Sequence, residues 1–548
     1  MGNPVLQTFT ALRGLADRNA SWRQDFGAGL LVFLIALPLC LGVAVASGFP
    51  PMAGILSAVV GGLLVSRING SYLTITGPAA GLIVVILGAV QSLGQGDAMA
   101  GYRYTLAAIV VSGVLQILLG LYKAGRLSAY FPASVVHGML AAIGIIIMAK
   151  QIPVMAGVKI EPGTHASLLS SMAQLPHGLA YFIPETTFIA LVGLAILIAW
   201  PRLENRFLSK VPAPIVVILS GMALGQVFDL AQLRPGESFL VPKDLIVGPA
   251  FLVAIPDSLL ASLYLPDFSK VFTLAFWQSV ISICLVGSLE SLLSAAAVDK
   301  LDPEQRYSDL NRDLRAVGIG NVVAGLIGGL PMIAEIVRSS ANIDAGARTA
   351  WSNFFHGAFL LLFVWAFPHV IDTIPLASLA ALLVYTGFRL ASPEAFARTM
   401  DLGREQLALF VITIVGVLAT NLLAGVLIGI AAKLLLHVGR GVPLRNLLTI
   451  FYRIEHPAPG TCIIHVRGSA IFSNFLALKS ALAELPAGKT ILFDLSDVYL
   501  IDHTVMEFID HFRDDVIAQG GRCEIRGLAG HEPYGEHELA ARIKTPQN

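Results

Sequence analysis

The chain has 548 residues, 55% of them hydrophobic and only 13% charged, about half the charged fraction (roughly 25%) of a soluble domain. Lys plus Arg and Asp plus Glu both number 36, so the formal charge is zero. A soluble enzyme is excluded, and so is a nucleic-acid partner, which needs a basic excess or stripe. A spanning helix needs about 20 apolar residues. Fourteen runs are read as spans, in order 26–47, 52–68, 76–93, 103–122, 131–151, 184–201, 211–228, 272–297, 314–330, 331–345, 351–368, 372–390, 405–421 and 422–439. The first starts near Phe26 and is too long for a signal-peptide core, so it reads as a retained helix.

With residues 1–25 cytoplasmic, inward-facing segments and span ends hold most of the basic residues, among them Arg13, Arg18 and Arg440. The outward ones hold Arg103, Lys150, Lys159, Arg234, Lys243 and Lys270. That asymmetry fits the positive-inside rule, puts both termini in the cytoplasm and requires an even number of spans. Cys40, Cys284, Cys462 and Cys523 are scattered without ligand spacing and read as packing residues.

From about Phe451 charges and histidines become frequent. Thr461–Val466, Ile491–Leu495 and Arg522–Ile525 read as strands, and Phe472–Leu485 and Thr504–Ala518 as helices. The alternation predicts a small α/β domain over 451–530. Residues 531–548 read as a loosely ordered polar tail.

Two interrupted segments carry the functional signal: Thr76-Gly77-Pro78-Ala79-Ala80, and Pro331 followed by Ala334, Glu335 and Ile336. Proline suits the first turn of a helix. The N–H groups that follow are unpaired and form the positive end of the helix dipole. Two such starts within the membrane predict an anion site at the midplane of a transporter. Glu290 is the one charged side chain within 272–298, which makes it a functional candidate, with Ser294 one turn along. An ion pair with Arg338 is the structural alternative and is compatible with that role. Glu335 reads either as a helix-start acid or as a carboxylate facing the cargo or a coupling cation. His137 and His356 are weaker candidates, either proton groups or packing residues.

These residues resemble the SulP anion transporters, the bacterial sulfate and bicarbonate carriers related to animal prestin and pendrin. The resemblance rests on Asp25-Phe26-Gly27-Ala28-Gly29-Leu30, Ala46-Ser47-Gly48-Phe49-Pro50-Pro51, Thr76-Gly77-Pro78 and Phe131-Pro132-Ala133-Ser134-Val135-Val136-His137-Gly138. It continues through Ser288-Leu289-Glu290-Ser291-Leu292-Leu293 and Gly320-Asn321 to Val337-Arg338-Ser339-Ser340. Phe493-Asp494-Leu495-Ser496-Asp497 through Asp502-His503-Thr504 is similar to a STAS domain.

The resemblance implies an all-α polytopic membrane protein of 14 spans in a 7+7 inverted repeat, with a cytoplasmic STAS domain. The core would be 26–122 and 272–368, the gate 131–228 and 372–439, within a transmembrane part of 26–440. It implies a homodimer in a bacterial inner membrane, a small inorganic anion between the starts of spans 3 and 10, and coupling through Glu290 with Arg338 close by. It also marks Thr504 as a regulatory hydroxyl and the STAS domain as a docking place for a cytoplasmic partner. Ile336 stands where sodium-linked members have a threonine, so that sodium ligand is missing. Glu290, Glu335 and Ser294 offer a different oxygen set for Na+. No catalytic motif, cofactor or resident metal is expected. An anion channel and a nucleobase permease are the competing classes; Glu290 argues against the first, and the STAS-like tail and Thr76-Gly77-Pro78 against the second. An ionised Glu335 repels doubly charged sulfate about twice as strongly as bicarbonate. Bicarbonate is therefore the expected cargo, with sulfate or a dicarboxylate as alternatives.

Overall fold

The computed structural model describes residues 22–125, 131–158, 182–203, 211–236, 245–255, 260–458, 460–482, 485, 490–518 and 520–545. Arg13, Arg18, Lys159 and Lys243 lie outside these residues, as does most of the 1–25 segment. The chain divides into two units, residues 1–125 with 143–389, and 126–142 with 390–548.

In the first unit α1 (Trp22–Ala46) and α2 (Pro51–Val60) are followed by a π turn, Gly61–Val65, and a short strand β1 (Ile75–Gly77). Then come α3 (Ile83–Gly94), α4 (Ala98–Leu121), α5 (Ala133–Met155, whose first turns belong to the second unit), α6 (Pro184–Ala199) and α7 (Ala213–Val227). Strands β2 (Arg234–Gly236) and β3 (Leu245–Val247) pair antiparallel. The second half brings α8 (Leu274–Leu301), α9 (Leu310–Ile327), strand β4 (Ile333–Glu335), α10 (Ile336–Asp344), α11 (Trp351–Ala366) and α12 (Leu376–Leu390). Among the described residues eight helices are long and apolar enough to cross a membrane, and Ala80–Gly94, Ala213–Val227 and Trp351–Ala366 are shorter apolar helices.

Two predicted spans differ from the structure. The run 76–93 opens as strand, and its α-helix begins only at Ile83. The run 331–345 does not turn helical at Pro331; it stays extended and becomes helix at Ile336. The reason is that β1 and β4 pair with each other, which fixes both backbones in the β region.

The second unit contains α13 (Pro393–Asp401), α14 (Arg404–Ala419) and α15 (Leu422–Gly439), then the α/β domain. Its strands are β5 (Phe451–Ala458), β6 (Thr461–Ala470), β7 (Thr490–Ile501), β8 (Arg522–Arg526), β9 (His531–Pro533) and β10 (Arg542–Lys544), with α16 (Leu476–Leu482) and α17 (His503–Ala518). The sheet order is β5-β6-β7-β10-β9, with β8 also on β7. Alternate residues of β6 and β7, including Ile464, Val466, Phe493 and Leu495, meet Val505 and Ile509 of α17 in one apolar core. The polar tail is a correction: β9 and β10 belong to the sheet, Arg542 pairs with Ile501, and Ala540 and Ala541 are buried. A polar stretch is ordered here because its backbone completes an open strand edge, a gain that composition does not register.

All four cysteines are free and buried.

Candidate anion site

A strand inside a membrane domain must find partners for every N–H and C=O within the protein. The two short strands do this for each other, with Ile75 opposite Glu335, Thr76 opposite Ala334 and Gly77 opposite Ile333. Polar side chains on neighbouring helices serve the remainder. The Ile75 N–H donates to Ser339 Oγ at 2.9 Å, and that hydroxyl donates to the Glu335 carbonyl at 2.6 Å. The Met332 N–H donates to Asn321 Oδ1 at 2.6 Å, and the Ala334 N–H to Ser291 Oγ at 3.1 Å. Asn342 Nδ2 donates to the Leu73 carbonyl at 3.0 Å.

Thr76 is fully buried and turned to the scaffold: its hydroxyl donates to the Gly61 carbonyl at 3.0 Å and accepts from Asn353 Nδ2 at 2.9 Å. Buried His356 faces Asn353 Oδ1 through Nδ1 at 3.4 Å, so it supports this arrangement at one remove. His137 lies in the first turns of α5, in the other unit.

Both half-helix starts are met by a carboxylate of the protein itself. At α10 the Glu335 side chain caps the helix, accepting the Arg338 N–H at 3.2 Å. At the turn Ala80–Leu82 leading into α3, the Glu290 carboxylate lies against Gly81, where any Cβ would overlap it. Glu290 is buried, and its Oε2 has no hydrogen-bond partner among the described residues. Ser294 is half-buried one turn further along α8.

Arg338 joins the two strands, and its carboxylate partner is Glu335 rather than Glu290. Its Nε stands 3.4 Å from Glu335 Oε2, with the guanidinium side chain 1% exposed. One Nη donates to the Pro78 carbonyl at 2.9 Å, and the other lies 3.5 Å from Cys40 Sγ. A Cβ on Gly77 would crowd that guanidinium. The expected pairing of Arg338 with Glu290 is therefore corrected: the cap position puts Glu335 three residues before Arg338, on the same helix turn.

The structure thus brings Thr76, Gly77, Pro78, Ala334, Glu335 and Arg338 into one cluster and sets Glu290 against the start of α3. Ala79 and Ala334 are buried, whereas Ile336 is 41% exposed. Ala334 is committed to Ser291 and does not offer a free N–H. Sequence reasoning left Asn321, Asn353 and Ser339 without roles; for Asn321 and Asn353 the signal was an uncharged polar side chain among apolar neighbours. Thr504 sits at the start of α17 with its hydroxyl oxygen buried.

The sulfate permease family matches residues 22–413, and the STAS domain matches 455–531. The chain belongs to the SulP family. It is an anion transporter with a carboxy-terminal STAS domain and several membrane-spanning helices. Among similar proteins, this SulP chain is 27% identical over 507 residues to the putative sulfate transporter YbaR of Bacillus subtilis, covering 92% of this chain and 94% of that one. It is 26% identical over 430 residues to the bicarbonate transporter BicA of Picosynechococcus, covering 78% and 70%. The transmembrane domain of a cyanobacterial BicA superposes with TM-score 0.62 at 24% identity, over 75% of this chain and 97% of that one. SLC26A9 superposes with TM-score 0.63 at 15% identity, over 92% and 84%.

Proposed function

We propose that this SulP protein is a cation-coupled symporter of a small inorganic anion, with bicarbonate as the cargo and H+ or Na+ as the coupling ion. The observation that carries this is the Glu290 carboxylate, buried against the start of α3 with one oxygen unpartnered. An anion drawn to the same positive helix start meets a fixed negative charge. Two unit charges about 4 Å apart repel by about 4 kcal/mol at an effective dielectric of about 20. Neutralising Glu290 with a proton or a sodium ion removes that repulsion, so anion and cation bind together.

The anion is held by the segment Thr76–Ala80 and by the Glu335–Ile336 helix start, with Thr76, Gly77, Pro78 and Ala334 shaping the backbone that presents it. Glu290, with Ser294, holds the coupling cation, and Arg338 fixes Glu335. Because Glu335 is neutralised by Arg338, discrimination against sulfate rests on Glu290: with one cation loaded, the dianion leaves twice the net negative charge that bicarbonate leaves, and with none loaded Glu290 repels it twice as strongly.

Fourteen spans in two inverted sets of seven accommodate the antiparallel pairing of β1 with β4. The core (26–122, 272–368) carries the site past the gate (131–228, 372–439) in an elevator movement. The protein acts as a homodimer in the bacterial inner membrane with both termini cytoplasmic, and the STAS domain meets cytoplasmic partners. Sulfate is the second reading, favoured by the relative YbaR, whose name is that of a putative sulfate transporter.

The test is uptake of labelled bicarbonate and labelled sulfate into proteoliposomes, each with a proton gradient, a sodium gradient or neither. Concentrative bicarbonate uptake with one gradient supports the proposal. Equal anion uptake with and without gradients rejects coupling, and concentrative sulfate uptake alone selects the second reading.

A further inference from the structure

Lys433 is an anomaly of the last span. It sits within α15, an otherwise apolar helix, and its side chain is 1% exposed. A buried ammonium persists only with a counter-charge. That charge comes from outside the helix. Asp502, at the turn between β7 and α17 of the STAS domain, places Oδ2 3.6 Å from Lys433 Nζ. His437, four residues along α15 and on the same face, presents Nε2 to the same oxygen at 3.6 Å.

Asp502 is held in place from its own side. Oδ2 accepts the Phe472 N–H at 2.8 Å, and Oδ1 accepts the Val505 N–H at 2.9 Å in the first turn of α17. The Phe472 ring covers the cluster, 5.5 Å from Lys433 Nζ and 6.0 Å from the His437 ring. Burial alone pushes the Asp502 carboxyl up; Lys433, His437 and the Phe472 N–H outweigh it and hold the group well below the usual carboxylate range. Around it, Tyr499 of β7 donates to the Arg440 carbonyl at 3.0 Å. Arg440 pairs with Glu405 and stacks on Tyr534 at 3.7 Å. Val442 packs with Ile471 and Leu500.

We infer that Asp502 of the STAS domain is the counter-ion of the last span, an ionic clasp on Lys433, with the His437 ring beside it, that makes the STAS domain part of the membrane fold. A molecule that draws the β7–α17 turn away from α15 leaves Lys433 buried without its carboxylate. The STAS domain thereby gains a mechanical hold on α15 that needs no contact with the transported anion.

The test is a double-mutant cycle in the full-length protein: Asp502→Asn, Lys433→Met and both together. Folded yield after size exclusion and amide exchange along α15 are the readouts. Asp502→Asn is expected to lower yield several-fold and to speed exchange in the second half of α15, because Lys433 loses its partner. Adding Lys433→Met is expected to recover at least half of the loss. An Asp502 that only caps α17 changes exchange at Val505 and leaves α15 unchanged, and that result overturns the inference. If Asp502→Asn gives no folded protein, the double variant decides: recovery supports the clasp, and continued failure overturns it.

Discussion

The Glu290 carboxylate rests on the backbone of Gly81, at the turn where α3 begins. Glycine is required there because a methyl group would occupy the space of the carboxylate. Overpacking of this kind costs about 1–3 kcal/mol, and here the group that must move is the one proposed to load the cation. Gly81→Ala is expected to cut gradient-driven anion accumulation roughly tenfold or more, since each 1.36 kcal/mol is about tenfold in rate. Accumulation in proteoliposomes at the parent's level shows that the carboxylate does not act from this position.

Glu290→Gln keeps the shape and removes the charge. It stands for the loaded form at all times, so anion exchange across the membrane is expected to survive while uphill accumulation falls to background. The measurement is counterflow of labelled anion beside accumulation driven by an ion gradient. A variant that still concentrates its anion as the parent does assigns Glu290 a structural role.

The helical membrane character, the α/β tail domain and the two interrupted segments were legible because each leaves a local mark: apolar length, strand–helix alternation, a proline in an apolar run. The strand pairing was not, since Thr76 and Ala334 come together only through tertiary structure. Pro331 looked like a helix start because proline is favoured there; the pairing with β1 prevailed and moved the start to Ile336. Glu335 changed meaning with it, from a residue inside a helix turn to a cap that holds Arg338. The order in 531–545 was hidden for a similar reason, because strand completion is a property of the sheet edge that receives it.

Asn321 shows what those pairings rest on. It accepts the Met332 N–H and donates to Gln116 Oε1 at 2.7 Å. Its Nδ2 also donates to the Met332 carbonyl at 3.2 Å, so replacing it with leucine takes a partner from the Met332 N–H, the Met332 carbonyl and Gln116 Oε1, at about 1–3 kcal/mol for each group left unserved. Asn321→Leu is expected to lower the thermal midpoint in detergent and reduce transport. A leucine variant with the parent's midpoint and transport argues that these bonds are not the feature that matters.

Arg338 binds the two half-helix starts through Glu335 and the Pro78 carbonyl. Breaking a buried ion pair by removing one partner costs about 3–5 kcal/mol, and the part exposure of Glu335 places this case at the lower end. Arg338→Ala is expected to reduce folded yield and abolish anion binding together. Arg338→Lys keeps the charge but loses the planar fork that serves both partners, so it is expected to fold better than the alanine variant and to bind the anion weakly. Isothermal titration with bicarbonate on the purified variants reads this directly. Binding by Arg338→Ala at the parent's affinity excludes the two-strand cluster as the anion site.

Asp502 predicts an acid limit on the stability of the STAS domain and the last span. Its folded carboxyl is held below the ordinary range, whereas in the unfolded chain it titrates near about 3.9. A group whose folded pKa is depressed binds fewer protons folded than unfolded, so stability rises with pH across the interval between the two values. The contribution is present in full above about pH 5 and declines as pH falls below about 4 toward the folded value. Asp502→Asn cannot titrate and lacks this slope. Thermal unfolding of parent and variant is to be compared between pH 7 and pH 3. The gap between them is expected to narrow below about pH 4 as the parent's carboxylate takes up protons on unfolding. A gap that stays constant between about pH 5 and pH 3 means that the carboxylate contributes no charge-dependent stability, and the cluster with Lys433 is then only a packing contact.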